Sequence, residues 1–298
     1  MVVPAYVGLC GSDLHICRGE HPRARPGLVI GHEVVGRLAG GPGDLASGTA
    51  VFVNPLLACG TCPACVRGLS HVCEHLRLIG IDVNGGAAEL LAAPAANLVP
   101  LPPSLELRHA ALIEPLAVAV HALRRGELRP GERVHVLGAG PIGLLVASCA
   151  HLAGAAPVTV SEPVASRAEG AAALGFRVVD DGTGQHTADV VFDCTGHPSV
   201  SPGVLGWAAT GGTVVAVGIY PGVVGVNLQE LSFRELKMTG TRVYTPDDVN
   251  AAIKLIADGA ADFSRLVTDV LALHQGGEAI ARLQAGRDLK VLIKSTGG

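Results

Sequence analysis

Aromatic side chains are scarce. Three tyrosines, five phenylalanines and one tryptophan make up 3% of 298 residues. The core must therefore come from Val, Leu, Ile and Ala. Charge is thin as well: Asp, Glu, Lys and Arg total 16%, the formal net charge is −4, and no basic run occurs. That argues against a surface for nucleic acid or for an anionic membrane. Mean hydropathy is high at +0.43, yet no apolar run reaches the ~20 residues that a membrane helix needs. Pro and Gly interrupt every candidate, as in AAELLAAPAANLVPLPP. The first residues lack a charged region followed by an apolar one, so a secretory signal is not expected.

What is present is a globular composition, 49% hydrophobic, at a length that allows two domains and a large core. The N-terminal portion, to about residue 115, is rich in Gly and Pro, and short runs such as LVIGHEVVGRL and TAVFVNP read as strands of a β-rich domain. In PPSLELRHAALIEPLAVAVHALRRG, Ser104 is a candidate cap for a helix that runs to Arg125 before Gly126. Strands and helices then alternate: RVHVLGAG, PIGLLVASCAHLAG, PVTVSE, ASRAEGAAALG, ADVVFDCTG and GGTVVAVGIY. Such alternation builds βαβ units on a parallel sheet. YTPDDVNAAIKLIADG predicts a helix capped by Thr245, with Pro246 in its first position and Gly259 beyond its end. The tail alternates more weakly, through RLVTDVLAL, GGEAIARLQAG and LKVLIK.

Eight cysteines occur, and four of them fall within CGTCPACVRGLSHVC. This is metal-ligand spacing in a reducing cytosol rather than a secreted disulfide scaffold. Cys59, Cys62 and Cys65 sit on successive tight turns, and Cys73 returns after a small loop. Four thiolates in a tetrahedron suit a closed, structural zinc site. A ferredoxin motif would place Pro after its last cysteine; here Glu74 follows Cys73. Cys17, Cys149 and Cys194 read as buried structural thiols, and most of the other histidines, His135 among them, as surface or packing residues.

VHVLGAGPIG places Gly138, Gly140 and Gly143 between a strand and a helix, with Pro141 and Ile142 inside the turn. Glu162 lies nineteen residues past Gly143, at the end of the next strand. A glycine triplet alone is weak; in this context it is a dinucleotide-binding fingerprint. The first Gly makes the turn, the second lets the backbone approach a pyrophosphate, and the third packs helix on strand. The pyrophosphate meets the helix N-terminus. Glu162 would accept from the ribose hydroxyls and repel a 2′-phosphate, which favours NAD over NADP. A methyltransferase binding an adenosyl group shares the glycine turn and the acid, but leaves the cysteine knot without a role.

Near the start, VGLCGSDLH supplies Cys10, Ser12, Asp13 and His15, and GHE supplies His32 and Glu33. A catalytic zinc takes three protein ligands and one exchangeable position. Cys10, His32 and a carboxylate would meet that need, with Glu33 and with Glu114 of IEPL both available. Asp13 could orient His32 through its second ring nitrogen.

These motifs together (GLCGSDLH, GHE, CGTCPACVRGLSHVC, IEPLAVAVHA, GAGPIG, SEPVASR and DCTG) closely resemble the zinc-dependent medium-chain dehydrogenase/reductase family. The nearest likeness is to its polyol branch of sorbitol, butanediol and threonine dehydrogenases, and it spans almost the whole chain. The resemblance implies an α/β protein in which a doubly wound Rossmann sheet, residues 117–244, interrupts a GroES-like β-rich catalytic domain, residues 1–116 and 245–298. It implies two zinc ions per chain, NAD, and exchange of hydride between NAD and a secondary alcohol or its ketone. Cys10 and His32 match catalytic zinc ligands, and Glu33 or Glu114 the third. Ser12 matches the hydroxyl that takes the substrate proton, His15 the outer relay, and Arg167 a contact to the adenosine ribose. Val217, Gly218 and Ile219 are expected to line the nicotinamide. A cytoplasmic homodimer or homotetramer is expected, with a small-molecule partner and neither nucleic acid nor membrane. Two departures accompany the likeness. Only nine residues precede Cys10, where relatives carry several dozen, so the first strands of the β domain are expected to be missing, leaving an unpaired sheet edge. A competing reading follows, of an impaired or non-catalytic relative that still binds NAD and zinc. And in GTRVYT, Val243 stands where sorbitol dehydrogenases have an arginine that contacts the polyol, with Arg242 beside it, which turns the expectation from sorbitol toward a diol, amino-polyol or cyclitol.

Overall fold

A computed structural model describes residues 1–40, 45–179 and 186–295. The chain divides into two compact units, Met1–Glu114 with Thr245–Gly298, and Pro115–Tyr244. No helix among the described residues is long and apolar enough to cross a membrane.

The first unit opens with β1 (Val2–Gly8), α1 (Gly11–Cys17), β2 (Glu33–Leu38), β3 (Ala50–Val53), β4 (Leu56–Leu57), α2 (Pro63–Val66), β5 (Arg77–Leu78), β6 (Leu98–Pro100) and α3 (Leu107–Ala110). The opening cluster therefore lies on a short helix. The region assigned to one helix from Ser104 is two: α3, with Glu106 at its cap position, and α4 (Ile113–Arg125). Ser104 caps neither.

The second unit continues through β7 (Val134–Leu137), α5 (Pro141–Leu152), β8 (Val158–Ser161), α6 (Ala165–Ala173), β9 (Arg177–Val178), β10 (Ala188–Asp193), β11 (Ala208–Ala216), α7 (Leu228–Phe233) and β12 (Lys237–Gly240). Its strands form one parallel sheet in the order β12-β11-β10-β7-β8-β9. That order reverses at β7, as in doubly wound dinucleotide-binding sheets, where ligands lie beyond the C-terminal strand ends. The near-continuous apolar strands VHVL and ADVVFD reflect burial on both faces.

The chain then returns to the first unit with α8 (Pro246–Ala257), β13 (Val267–Ala272), α9 (Gly276–Gln284) and β14 (Lys290–Lys294). At α8, Thr245 accepts from the Asp248 amide while Asp248 accepts from the Thr245 amide, the reciprocal cap that its sequence predicts. The returning strands complete a six-stranded sheet, β13-β14-β1-β2-β3-β6. β1 is interior to it, paired antiparallel with β14 on one side and β2 on the other; the outer strands are β13 and β6. Val2, Val7, Val34, Val51, Leu271 and Ile293 pack in the cluster beneath. Cys149 is buried, but Cys17, expected inside, is exposed at the last position of α1. Its helix turns that face outward.

His135 packs as its sequence reading suggests. It is 2% exposed in β7, hydrogen-bonded to the hydroxyls of Thr159 and Ser161 and stacked on Trp207 with ring centroids 4.1 Å apart. Burial pushes its pKa down from 6.5 to about 4. A base whose folded pKa is depressed leaves the unfolded chain holding more protons between those values, so stability is complete above pH 6.5 and is lost as pH falls toward 4. Urea unfolding of the wild type and His135→Asn across this window should show a steeper acid loss in the wild type, by up to about 3 kcal/mol. Parallel pH curves would show that His135 is not responsible.

Candidate active site and zinc centres

Cys10 lies between β1 and α1, where the chain turns from sheet to helix, and His32 and Glu33 lie at the start of β2. Pairing of Gly8 with Glu33 across β1 and β2 brings these distant segments side by side. One donor atom from each of Cys10, His32 and Glu33 lies within 4.8 Å of the others. All three are removed from bulk water: His32 is 5% and Glu33 1% exposed, with Cys10 half-buried. Glu114, in the first turn of α4, is 6% exposed and acts electrostatically on His32.

Asp13 organises this cluster through the backbone. Its carboxylate accepts from the amide of Cys10 at 2.8 Å and from that of Gly31 at 3.1 Å, so one buried side chain fixes the segments that carry Cys10 and His32. It approaches Nδ1 of His32 only to 3.9 Å, beyond hydrogen bonding. Burial raises the pKa of Asp13. Burial opposes charge on His32 too, but Asp13, the Cys10 thiol and Glu114 outweigh it, and its pKa stands well above the usual imidazole value. A pocket that draws a proton onto a fully enclosed imidazole is short of positive charge. A divalent cation held by Cys10, His32 and a carboxylate would supply it, and soft sulfur, imidazole and carboxylate together suit zinc.

Lys290 has no counterpart in the sequence reading. It opens β14, is 2% exposed, and points its ammonium at the carboxylate of Glu33 and at the carbonyl of Leu9, 3.0 Å away. Burial would strip its proton, but Glu33 outweighs that and raises its pKa. Its one sequence signal is a lysine heading the apolar run VLI of β14. With Glu33 engaged by Lys290, the two candidate carboxylates differ: Glu33 is shared with an ammonium, whereas Glu114 sits at a helix start.

The other site residues lie as follows. Ser12, half-buried, and the exposed His15 are three residues apart on α1, hence on one face of it; His15 Nδ1 meets Glu20 at 2.8 Å. Cys59, Cys62, Cys65 and Cys73 bring their sulfurs within 4.8 Å of one another. The Cys59–Cys73 and Cys62–Cys73 separations are 3.5 and 3.8 Å, against about 3.8 Å across a tetrahedron with ~2.3 Å zinc–sulfur bonds. Amides of Thr61 and Cys62 point at Cys59 and lower its pKa to about 6, which readies it as a thiolate ligand.

In the second unit, Gly138 takes φ +96° and Gly140 caps α5, which begins at Pro141 and Ile142. A β-carbon at Gly143 would stand 1.9 Å from the Gly138 carbonyl oxygen, so only glycine fits there. Glu162 accepts from the amides of Ala139 and Val164, at 2.8 and 2.9 Å, which ties the glycine turn to the end of β8. Arg167 is exposed on α6. Val217, Gly218 and Ile219 follow β11, and Ile219 is 94% exposed. Arg242 is exposed and Val243 half-buried; Val243 has φ +44°, a strained setting for a β-branched residue.

Residues 1–103 match the alcohol dehydrogenase GroES-like domain, and residues 141–258 the zinc-binding dehydrogenase domain. The chain belongs to the zinc-binding alcohol dehydrogenase family, and it is an oxidoreductase of CH–OH groups. Its relatives place it on the polyol side of that family. It is 37% identical to 2-dehydro-3-deoxy-L-galactonate 5-dehydrogenase of Pseudoalteromonas atlantica, over 97% of this chain and 89% of that protein. It is 35% identical to L-galactonate-5-dehydrogenase of Escherichia coli K12, over 90% and 82%. The crystal structure of a zinc-binding dehydrogenase from Sinorhizobium meliloti 1021 bound to NADP superposes with a TM-score of 0.92 at 31% identity, over 98% of this chain and 91% of that one.

Lys290→Met should leave Glu33 as an uncompensated buried charge and lower urea stability by about 3–5 kcal/mol, with much of the loss recovered when Glu33→Gln is added. A loss under about 1 kcal/mol would show that the pair carries little.

Proposed function

We propose that this chain is an NAD-dependent zinc dehydrogenase that oxidises one secondary hydroxyl of a polyhydroxylated substrate, or reduces the matching ketone. The observation that carries this reading is the convergence of Cys10, His32 and Glu33 in a buried pocket whose electrostatics call for a cation. Both curated relatives above are named for dehydrogenation at carbon 5 of a galactonate, so sugar acids head the candidate substrates, ahead of plain polyols, diols and cyclitols.

Cys10, His32 and either Glu33 or Glu114 would hold the catalytic zinc, which would supply Lewis-acid polarisation of the substrate oxygen. Cys59, Cys62, Cys65 and Cys73 hold the structural one. Ser12 receives the hydroxyl proton, and His15, on the same face of α1 and open to solvent, passes it out. Asp13 keeps Cys10 and His32 in register through their backbones. NAD, when bound, accepts the hydride. Gly138, Gly140 and Gly143 cradle its pyrophosphate, with Pro141 and Ile142 opening the helix beneath. Glu162 and Arg167 would face the adenosine ribose, and Val217, Gly218 and Ile219 the nicotinamide. The domains follow the two compact units, catalytic on either side of the nucleotide-binding insert. Thiols grouped for metal suit the cytoplasm. Exposed Leu228, Phe233 and Met238 around the edge strand β12 suit a homo-oligomer.

Zinc analysis should return two ions per chain, falling to one in Cys10→Ser; one in the wild type would remove the catalytic centre from this account. A panel of sugar acids, polyols and diols, followed through the absorbance of reduced nicotinamide, should give turnover with a secondary alcohol. Ser12→Ala should lower kcat by about 10²-fold or more with zinc content intact. NAD should be preferred over NADP, because Glu162 would repel a 2′-phosphate; the opposite preference would refute its assigned role.

A further inference from the structure

The DCTG turn is absorbed into no step above, yet it follows β10, between the glycine turn after β7 and the segment 217–219 after β11. Asp193 ends β10 and is 1% exposed. One of its carboxylate oxygens accepts from the amide and the hydroxyl of Thr195, at 2.9 and 2.6 Å; the other accepts from the hydroxyl of Tyr220. Its main-chain carbonyl accepts from the amides of Val217 and Gly218, at 2.9 and 2.8 Å. One residue thus holds the segment 217–220 at its beginning, through backbone, and at its end, through side chain.

The two strand exits also meet backbone to backbone. A β-carbon on Gly218 would stand 2.1 Å from the Gly196 nitrogen, and one on Gly196, at φ +58°, would stand 2.6 Å from the Ile219 oxygen. On its other flank the same turn abuts the phosphate-binding glycines. Cys194 donates its amide to Leu137 at 2.9 Å, and a β-carbon on Gly138 would meet the Thr195 methyl at 3.1 Å. Between Asp193 behind it and solvent in front, Ile219 stands 94% exposed, an apolar side chain held out on a pinned loop.

We infer that Asp193 and Tyr220 form a clasp that sets segment 217–219 in its nicotinamide-receiving shape before the cofactor arrives, and that Tyr220 is a positioning residue for the nicotinamide half alone. This rests on the NAD reading above. The physical gain is preorganisation: a loop already fixed loses no further freedom on binding. A hydroxyl donating to a buried carboxylate is among the stronger neutral–charged hydrogen bonds. The glycine turn, which receives the pyrophosphate, has its own anchor in Glu162, so loss of Tyr220 should not reach it.

That separation gives the test. Binding of NADH and of ADP-ribose, which lacks the nicotinamide, is measured by titration calorimetry on the full zinc-loaded chain. Tyr220→Phe should weaken NADH about tenfold and leave ADP-ribose within about twofold of the wild type, with Asp193→Asn moving in the same direction. Equal weakening of both ligands in the two variants would reduce the clasp to general packing and overturn the inference, as would unchanged NADH binding. A wild type that binds neither ligand would overturn the cofactor reading itself, an outcome separate from either of these.

Discussion

The buried contact of Lys290 with Glu33 is the constraint on which the catalytic unit depends. Neither charge could be buried alone at acceptable cost. Together they join β14 to β2, which begins at Glu33 beside His32, and the lysine also holds the carbonyl of Leu9, the residue before Cys10. The segment that returns after the nucleotide-binding insert is therefore a wall of the Cys10–His32–Glu33 pocket rather than an appendage. Its two strands supply β13 and β14 to the sheet in which β1 is paired on both sides.

The pocket is built so that negative groups outnumber positive ones. Asp13, Glu33 and Glu114 surround one imidazole and one ammonium, and all five groups are 6% exposed or less. Such a cluster is costly without a cation, and the same imbalance that raises the pKa of His32 suits it to hold zinc. The four-cysteine loop solves a different problem by different means. Cys59 is exposed while Cys62 and Cys73 are buried, and backbone amides favour the thiolate form of Cys59, whereas burial pushes the Cys65 thiol up to about 12.

Most chemistry-bearing residues were legible because they sit in short motifs with fixed spacing. The knot at 59, 62, 65 and 73 and the turn at 138, 140 and 143 are local, and a local turn needs little tertiary information. The cap at Thr245 was legible for the same reason. Ser104 misled, because a good capping residue carries weight only where a helix begins, and α3 begins at Leu107. Cys17 misled because thiols are buried on average, and the average says nothing about which face of α1 turns outward.

By itself the sequence determined the parallel sheet with its glycine turn and the four-cysteine loop, since periodicity and motif spacing are properties of contiguous chain. Only the tertiary structure decided what Asp13 holds, that Lys290 takes hold of Glu33, and that Asp193 reaches Tyr220. These contacts join residues 18, 257 and 27 positions apart. Their partners are set by sheet register and strand order, and no local pattern records which side chains those will bring face to face.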